Sequence, residues 1–182
     1  MKISHRTNEE KALEALVYVA SKWPGIIPFF LAKTFYFAEK DHINRYGRPI
    51  IADSYIAMEH GPVPSRIRDY IEGSYLFFEN AEDVPEAISV TRSGKYNEIN
   101  ALRHPRMEFF SKTDIECLDS AIAFCKGKSF PELKRITHSH KAYKESQPNS
   151  EIDYELFIDD DNPHRSAIIA EAIEYSSFKI TI

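Results

Sequence analysis

Residues 28–45, PFFLAKTFYFAEKDHINR, spread apolar side chains around more than one face of a helix. Phe30, Leu31, Thr34, Phe35, Ala38 and Ile43 recur at helical spacing, and Phe29, Tyr36 and Phe37 widen the stripe beyond one contact face. A helix of this kind must be covered on several sides, so the rest of the chain is expected to wrap around it. Pro28 suits a first helical position, while Gly47 and Pro49 end the segment.

The 182 residues suffice for one domain over residues 1–182, and two separate cores would be undersized. With 43% hydrophobic and 13% aromatic residues the chain has material for a packed core, which excludes a disordered chain. Cys117 and Cys125 lie eight apart on one expected helix, a rise of about 12 Å, too far for a disulfide. Free thiols suit a reducing cytosol, so a cytoplasmic location is expected. The start, Met1 to Glu10, is polar and lacks the apolar run of a signal peptide. The longest apolar stretch, Ile26 to Ala32, is too short to cross a membrane.

Charge is uneven. Residues 1–144 carry 21 bases against 19 acids, and residues 145–182 carry two against nine. The net charge of −5 argues against nucleic acid as the main partner, because phosphate binding needs a clustered basic surface. Residues 148–182 read as an acidic loop followed by a C-terminal helix.

Along the chain, Thr7-x-x-Glu10 has capping-box spacing, and Leu13, Leu16, Val17 and Ala20 share one helical face. Ile50 to Met58 alternates as a short strand. His60-Gly61-Pro62-Val63-Pro64 is a stiff turn that launches a helix through Ile67, Tyr70 and Ile71. Ile88 and Val90, then Tyr96 and Ile99, flank Arg92-Ser93-Gly94-Lys95 as a β-hairpin. Two strands alone are marginal, so the hairpin is expected to pair with the strand at 50–58. Thr113-x-x-Glu116 and Ser129-x-x-Glu132 open two more helices. Residues 144–161, ending in Asp159-Asp160-Asp161, read as a long polar loop. Asn162-Pro163 starts a last helix, and Phe178 to Ile182 has a strand-like pattern. The expected class is α+β, mainly α, a helical domain with a small antiparallel sheet of about three strands.

No motif for chemistry stands out. His138-x-His140 does not put two imidazoles on one helical face, and neither His-Glu-x-x-His nor Cys-x-x-Cys accompanies it, so no metal is expected. There is no Gly-x-Ser-x-Gly and no Gly-rich phosphate loop, so neither a catalytic residue nor a cofactor is assigned. The basic residues Lys126, Lys128, Lys134, Arg135, Lys141 and Lys144 read as a charged helix face, paired in part with the acidic tail.

Two segments carry a family likeness. One runs from Leu31-Ala-Lys-Thr-Phe-Tyr-Phe-Ala-Glu to Met58-Glu-His-Gly-Pro-Val63. The other comprises Phe110-Ser-Lys-Thr-Asp114, Leu118-Asp119, Phe130-Pro-Glu-Leu133 and Ile136-Thr-His138. Over about residues 8–147 the chain resembles the Panacea domain, the SocA-like antitoxin or phage-associated GepA-like family. The resemblance implies a mainly helical fold with a small sheet and an antitoxin role, in which a cognate toxin protein is neutralised by direct contact. It also implies, for one member, delivery of the toxin to a protease; the alternative readings of this chain are a phage-derived adaptor or regulator without a toxin, and a hydrolase assembled around His60 and His138. The family's signature positions fall on His60, Gly61, Pro62, Val63 and His138. His60 stands where Tyr is frequent, and Tyr143 stands nearest the place of a usual Trp. Arg66, Arg68, His138 and Tyr143, on the segments at 60–66 and 138–147, are the expected partner-binding side chains.

Overall fold

The computed structural model describes residues 7–178. Its helices are α1 (Glu9–Lys22), α2 (Pro28–Tyr46), α3 (Ser65–Glu72), the single turn α4 (Val84–Ala87), α5 (Lys112–Lys126), α6 (Phe130–Ser139), the single turn α7 (Lys141–Lys144) and α8 (Arg165–Phe178). The strands are β1 (Tyr55–Met58), β2 (Gly61–Pro64), β3 (Ile88–Ser93) and β4 (Tyr96–Ala101). The protein is α+β and mainly helical.

Helix α2 separates two buried clusters. Leu31, Phe35 and Ala38 face a core built with α1, α3, α5 and the base of the β3–β4 hairpin. Tyr36 and Ile43 face a second core with Tyr55, Ala142, Ile152, Tyr154, Phe157 and Ile168. Phe37 packs against both. The wide apolar stripe exists because this one helix has core on two sides.

The expected sheet of about three strands is instead two separate antiparallel ribbons. β1 turns tightly through Glu59 and His60 into β2, with Met58 opposite Gly61 and Tyr55 opposite Pro64. The segment read as a stiff turn is thus itself a strand. β1's other edge is taken by residues 149–152: Ala57 N donates to Ser150 O at 2.9 Å and Ile152 N to Tyr55 O at 2.7 Å. The β3–β4 hairpin forms where expected, and its free edge is closed by the α1–α2 loop, with Ile99 N donating to Ile26 O at 3.0 Å. With these edges of β1 and β4 occupied, the two strands expected to pair are already taken by other partners.

Two local expectations shift. Asn8, not Thr7, caps α1, its side chain accepting from Lys11 N; Thr7 instead donates to Ala52 O at 3.0 Å. The capping box of α5 is Ser111 with Asp114, one frame before Thr113-x-x-Glu116. Asp114 is fully buried, and Lys11, His42 and Arg48 converge on it; that cluster selects the frame. The box at Ser129 and Glu132 opens α6 as expected.

The polar loop at 144–161 is an anchored segment. Ile152, Tyr154, Phe157 and Ile158 are buried, and Tyr154–Phe157 forms a 3₁₀ turn. Its acids are engaged: Asp159 pairs with Lys40, Asp160 with Lys141, and Glu155 with Arg165 at 2.8 Å. The strand-like pattern at 178–182 lies outside the described residues, save for Phe178, which ends α8.

Two buried carboxylates replace the missing local caps of the 50–67 segment. Glu39 accepts from Ile50 N, Ile51 N and Ala52 N, at 2.7, 3.4 and 2.9 Å. Asp53 accepts from Arg66 N and Ile67 N at 2.9 and 3.1 Å, capping α3, whose own N-cap is Pro64. Burial pushes Asp53 up to about 7, against the pull of those two N–H groups. No described helix is long and apolar enough to cross a membrane.

Candidate partner-binding surface

The turn between β1 and β2 is built on Gly61 and Lys33. Gly61 is buried with φ +100°, and a Cβ there would lie 2.6 Å from Thr137 Oγ1 and 3.0 Å from Lys33 Nζ. Only glycine lets α2, α6 and the turn approach this closely. Lys33 is 1% exposed and donates to Pro62 O at 2.9 Å, with its ammonium 5.2 Å from the Phe29 ring. Burial pushes this lysine down to about 7.

That depression has a thermodynamic consequence. In the unfolded chain the amine titrates near about 10.4. Between pH 7 and that value the folded state binds fewer protons than the unfolded one, so stability rises with pH. Below pH 7 the amine is charged in both states and adds no slope. Wild type should therefore gain about 3 kcal/mol relative to Lys33→Met between pH 7 and 9.5. Urea midpoints of both proteins at the two pH values check this, and parallel shifts would place the amine in solvent-like surroundings.

Around this turn the structure gathers four of the five signature positions. His60 is exposed, its Nδ1 3.2 Å from Lys134 Nζ and its ring edge-on to Phe130. Gly61 and Pro62 are buried, and His138 approaches from α6 with the Glu59 backbone in hydrogen-bonding reach of its ring. His138 stacks on Tyr143, with ring centroids 4.0 Å apart and planes at 19°. Its Nε2 is buried without a partner. His140 points elsewhere, its Nδ1 2.9 Å from Tyr36 Oη in the second core, so the two histidines diverge. Val63 turns to the other side of β2, into the groove described next.

A depression of about 400 Å³ runs beside the turn, floored by Phe29, Val63, Pro64, Ile67 and Ile71. Arg68 stands on its edge, tied to Glu72 at 2.9 Å. Arg66 is occupied differently: it pairs with Glu9 at 3.2 Å and lies 3.9 Å over the Phe78 ring. Arg66 thereby holds the loop that leaves α3, on which Leu76 is 78% and Phe77 99% exposed. A fully exposed Phe on the loop that follows a groove-lining helix is the feature expected of a contact anchor.

Sequence periodicity singles out neither Lys33 nor Phe77. Lys33 stands in a helix apolar on nearly every side, and that is its one local signal. The exposure of Phe77 depends on how Tyr75 and Phe78 fold back on Tyr70. Chemically, the surface offers apolar contact, aromatic faces and several cations. Cys125, the thiol nearest Lys33, is buried and pushed up to about 11 by burial, a poor nucleophile. Among the described residues no three His, Cys, Asp or Glu side chains meet as a metal site.

In comparisons with known proteins, the family described as antitoxin SocA-like, Panacea domain, matches residues 31–144. No curated protein and no solved structure matches the chain. The match begins inside α2 and ends with α7, so it spans the turn, α3, the hairpin, α5 and α6. This chain belongs to the SocA-like antitoxin family and carries its Panacea domain.

Proposed function

We propose that this protein is the antitoxin of a toxin–antitoxin pair and neutralises its toxin in the cytoplasm by direct protein–protein contact. The observation that carries this reading is the apolar groove lined by α3, with the exposed Leu76 and Phe77 on the loop that follows that helix, in a chain of an antitoxin family. Within the surface, Arg68 rims the groove, the His138–Tyr143 stack borders the signature turn, and Arg66 positions the loop carrying Phe77. The buried thiols and the divergent His138 and His140 favour binding over catalysis.

The test is co-expression with the toxin encoded by the neighbouring gene. Phe77→Asp and Arg68→Ala should each weaken binding by about 2 kcal/mol or more, and growth should fail, while the melting temperature stays within a degree or two. Full neutralisation by every folded variant of Arg66, Arg68, Phe77, His138 and Tyr143 would place the contact elsewhere.

A further inference from the structure

The signature turn brings together Lys33, His60, Lys134 and His138, from α2, the β1–β2 turn and α6. Many cations of the fold meet carboxylates: Lys40, Arg66, Arg68, Arg103, Lys141 and Arg165 each have an acidic partner. Among the described residues no carboxylate lies within ion-pair distance of the four at the turn. Glu59 is the acid beside them in sequence, and its backbone is what approaches His138.

Lys134 Nζ donates to His60 Nδ1 at 3.2 Å, which leaves the Nε2–H of His60 and two N–H groups of Lys134 for other acceptors. Burial first, and then Lys134, Lys33 and His60, disfavour a proton on His138. Lys33 spends one N–H on Pro62 O, and His138 Nε2 is buried without a partner. An ammonium has three donors and an imidazole two ring nitrogens, so hydrogen-bonding capacity is left over at one place. A half-exposed lysine beside an exposed histidine and above a buried lysine, with no described carboxylate in ion-pair distance, has the electrostatics of a half-site.

The surroundings specify the other half. On one side of the turn lies the apolar groove with Phe29, Val63 and Ile71. On the other is a second, shallower depression bounded by Phe130, Pro131, Lys134 and His138. Phe29 and Phe130, with ring centroids 3.9 Å apart, form the ridge between them. A bound chain therefore has apolar ground on the groove side, and on the other the Phe130–Pro131 face beside Lys134 and Arg135, so it can continue in both directions, which suits a residue inside a segment rather than a chain end.

We propose that this turn is a docking site for an internal Asp or Glu of a partner protein, flanked by large apolar residues that fill the groove. The inference rests on the protein-binding reading above and specifies the chemistry of the partner. The carboxylate accepts from Lys134 and from His60 Nε2–H at the surface, above the buried Lys33, and the apolar neighbours cover Phe29 and the groove floor.

The test needs no toxin. Random twelve-residue peptides, displayed between fixed linkers on both sides, are selected on the full chain. A second library ends in free carboxylates. The first library should yield peptides with an acidic residue beside Leu, Ile, Phe or Trp. Synthetic copies titrated by fluorescence anisotropy should lose at least tenfold in affinity on Asp→Asn or Glu→Gln, and as much again on Lys134→Glu or His60→Ala in the protein. Placing Lys at the acidic position should restore binding to Lys134→Glu. Lys33→Met should weaken binding similarly if it folds; the half-exposed Lys134 carries the test otherwise.

Peptides enriched without an acid, affinities indifferent to Lys134→Glu, enrichment from the free-carboxylate library alone, or no enrichment would each overturn the proposal. A protein that binds acidic peptides but neutralises no toxin would keep this site and remove the antitoxin reading.

Discussion

Gly61→Ala is expected to lower stability by about 3 kcal/mol, a fall of about 10 °C in melting temperature for a domain of this size. Two causes add. The backbone at φ +100° lies in a region that L side chains rarely adopt, and the new methyl would meet Thr137 Oγ1 at 2.6 Å. Neither obstacle moves freely. Thr137 is fully buried and its hydroxyl donates to Leu133 O at 3.0 Å. Lys33, also fully buried, is held by the Pro62 carbonyl. Gly94 separates the two causes, because it has φ +57° with nothing within 4 Å of an added Cβ. Gly94→Ala should cost only the conformational part, about 1 kcal/mol. Equal melts for the two variants would show that the contact between the turn, α2 and α6 is looser than described.

Glu39→Ala should cost about 4 kcal/mol, the largest effect of any single substitution considered. This carboxylate is 1% exposed and accepts from three consecutive backbone N–H groups, at Ile50, Ile51 and Ala52. Tyr154 Oη adds a fourth contact at 3.3 Å. Alanine leaves the donors without an acceptor and opens a void between the two cores. The segment it holds includes Ala52 at φ +58°, a strained residue that persists because its neighbours are fixed. Glu39→Gln keeps one acceptor oxygen but turns an NH₂ toward an N–H donor, so it should fall between, at about 2 kcal/mol. Urea unfolding of the three proteins gives the ordering. An alanine variant within 1 kcal/mol of wild type would mean that water replaces the carboxylate and that the site is wetter than its burial implies.

The binding surface divides in the same way between what is local and what is assembled. His60, Gly61, Pro62, Val63 and His138 are visible in the chain as residues, and the turn does join His60, Gly61 and Pro62 to His138. Arg66, read as a free anchor type, spends its guanidinium on Glu9 and Phe78. Lys33 lies buried beneath the turn and Phe77 exposed on the loop after α3, and their placement follows from contacts that local periodicity does not encode.

What the sequence by itself determined is whatever depends on neighbours within a turn or two. The helical periods of α1 and α2, the box at Ser129 and Glu132, the β3–β4 hairpin and the need for two-sided cover of α2 are all local patterns, and all are present in the fold. Tertiary structure decided three things that local energies leave nearly equal. The capping frame of α5 followed Asp114 because a buried carboxylate needs Lys11 and His42, and Glu116 found Arg45 at the surface. The partners of β1 were set by a tight turn on one edge and residues 149–152 on the other, because any closure that satisfies the backbone ends strand pairing. The segment 144–161 looks polar by composition. Tyr154 and Phe157 nevertheless bury against α2, since burial depends on what lies opposite in space rather than on the average of a window.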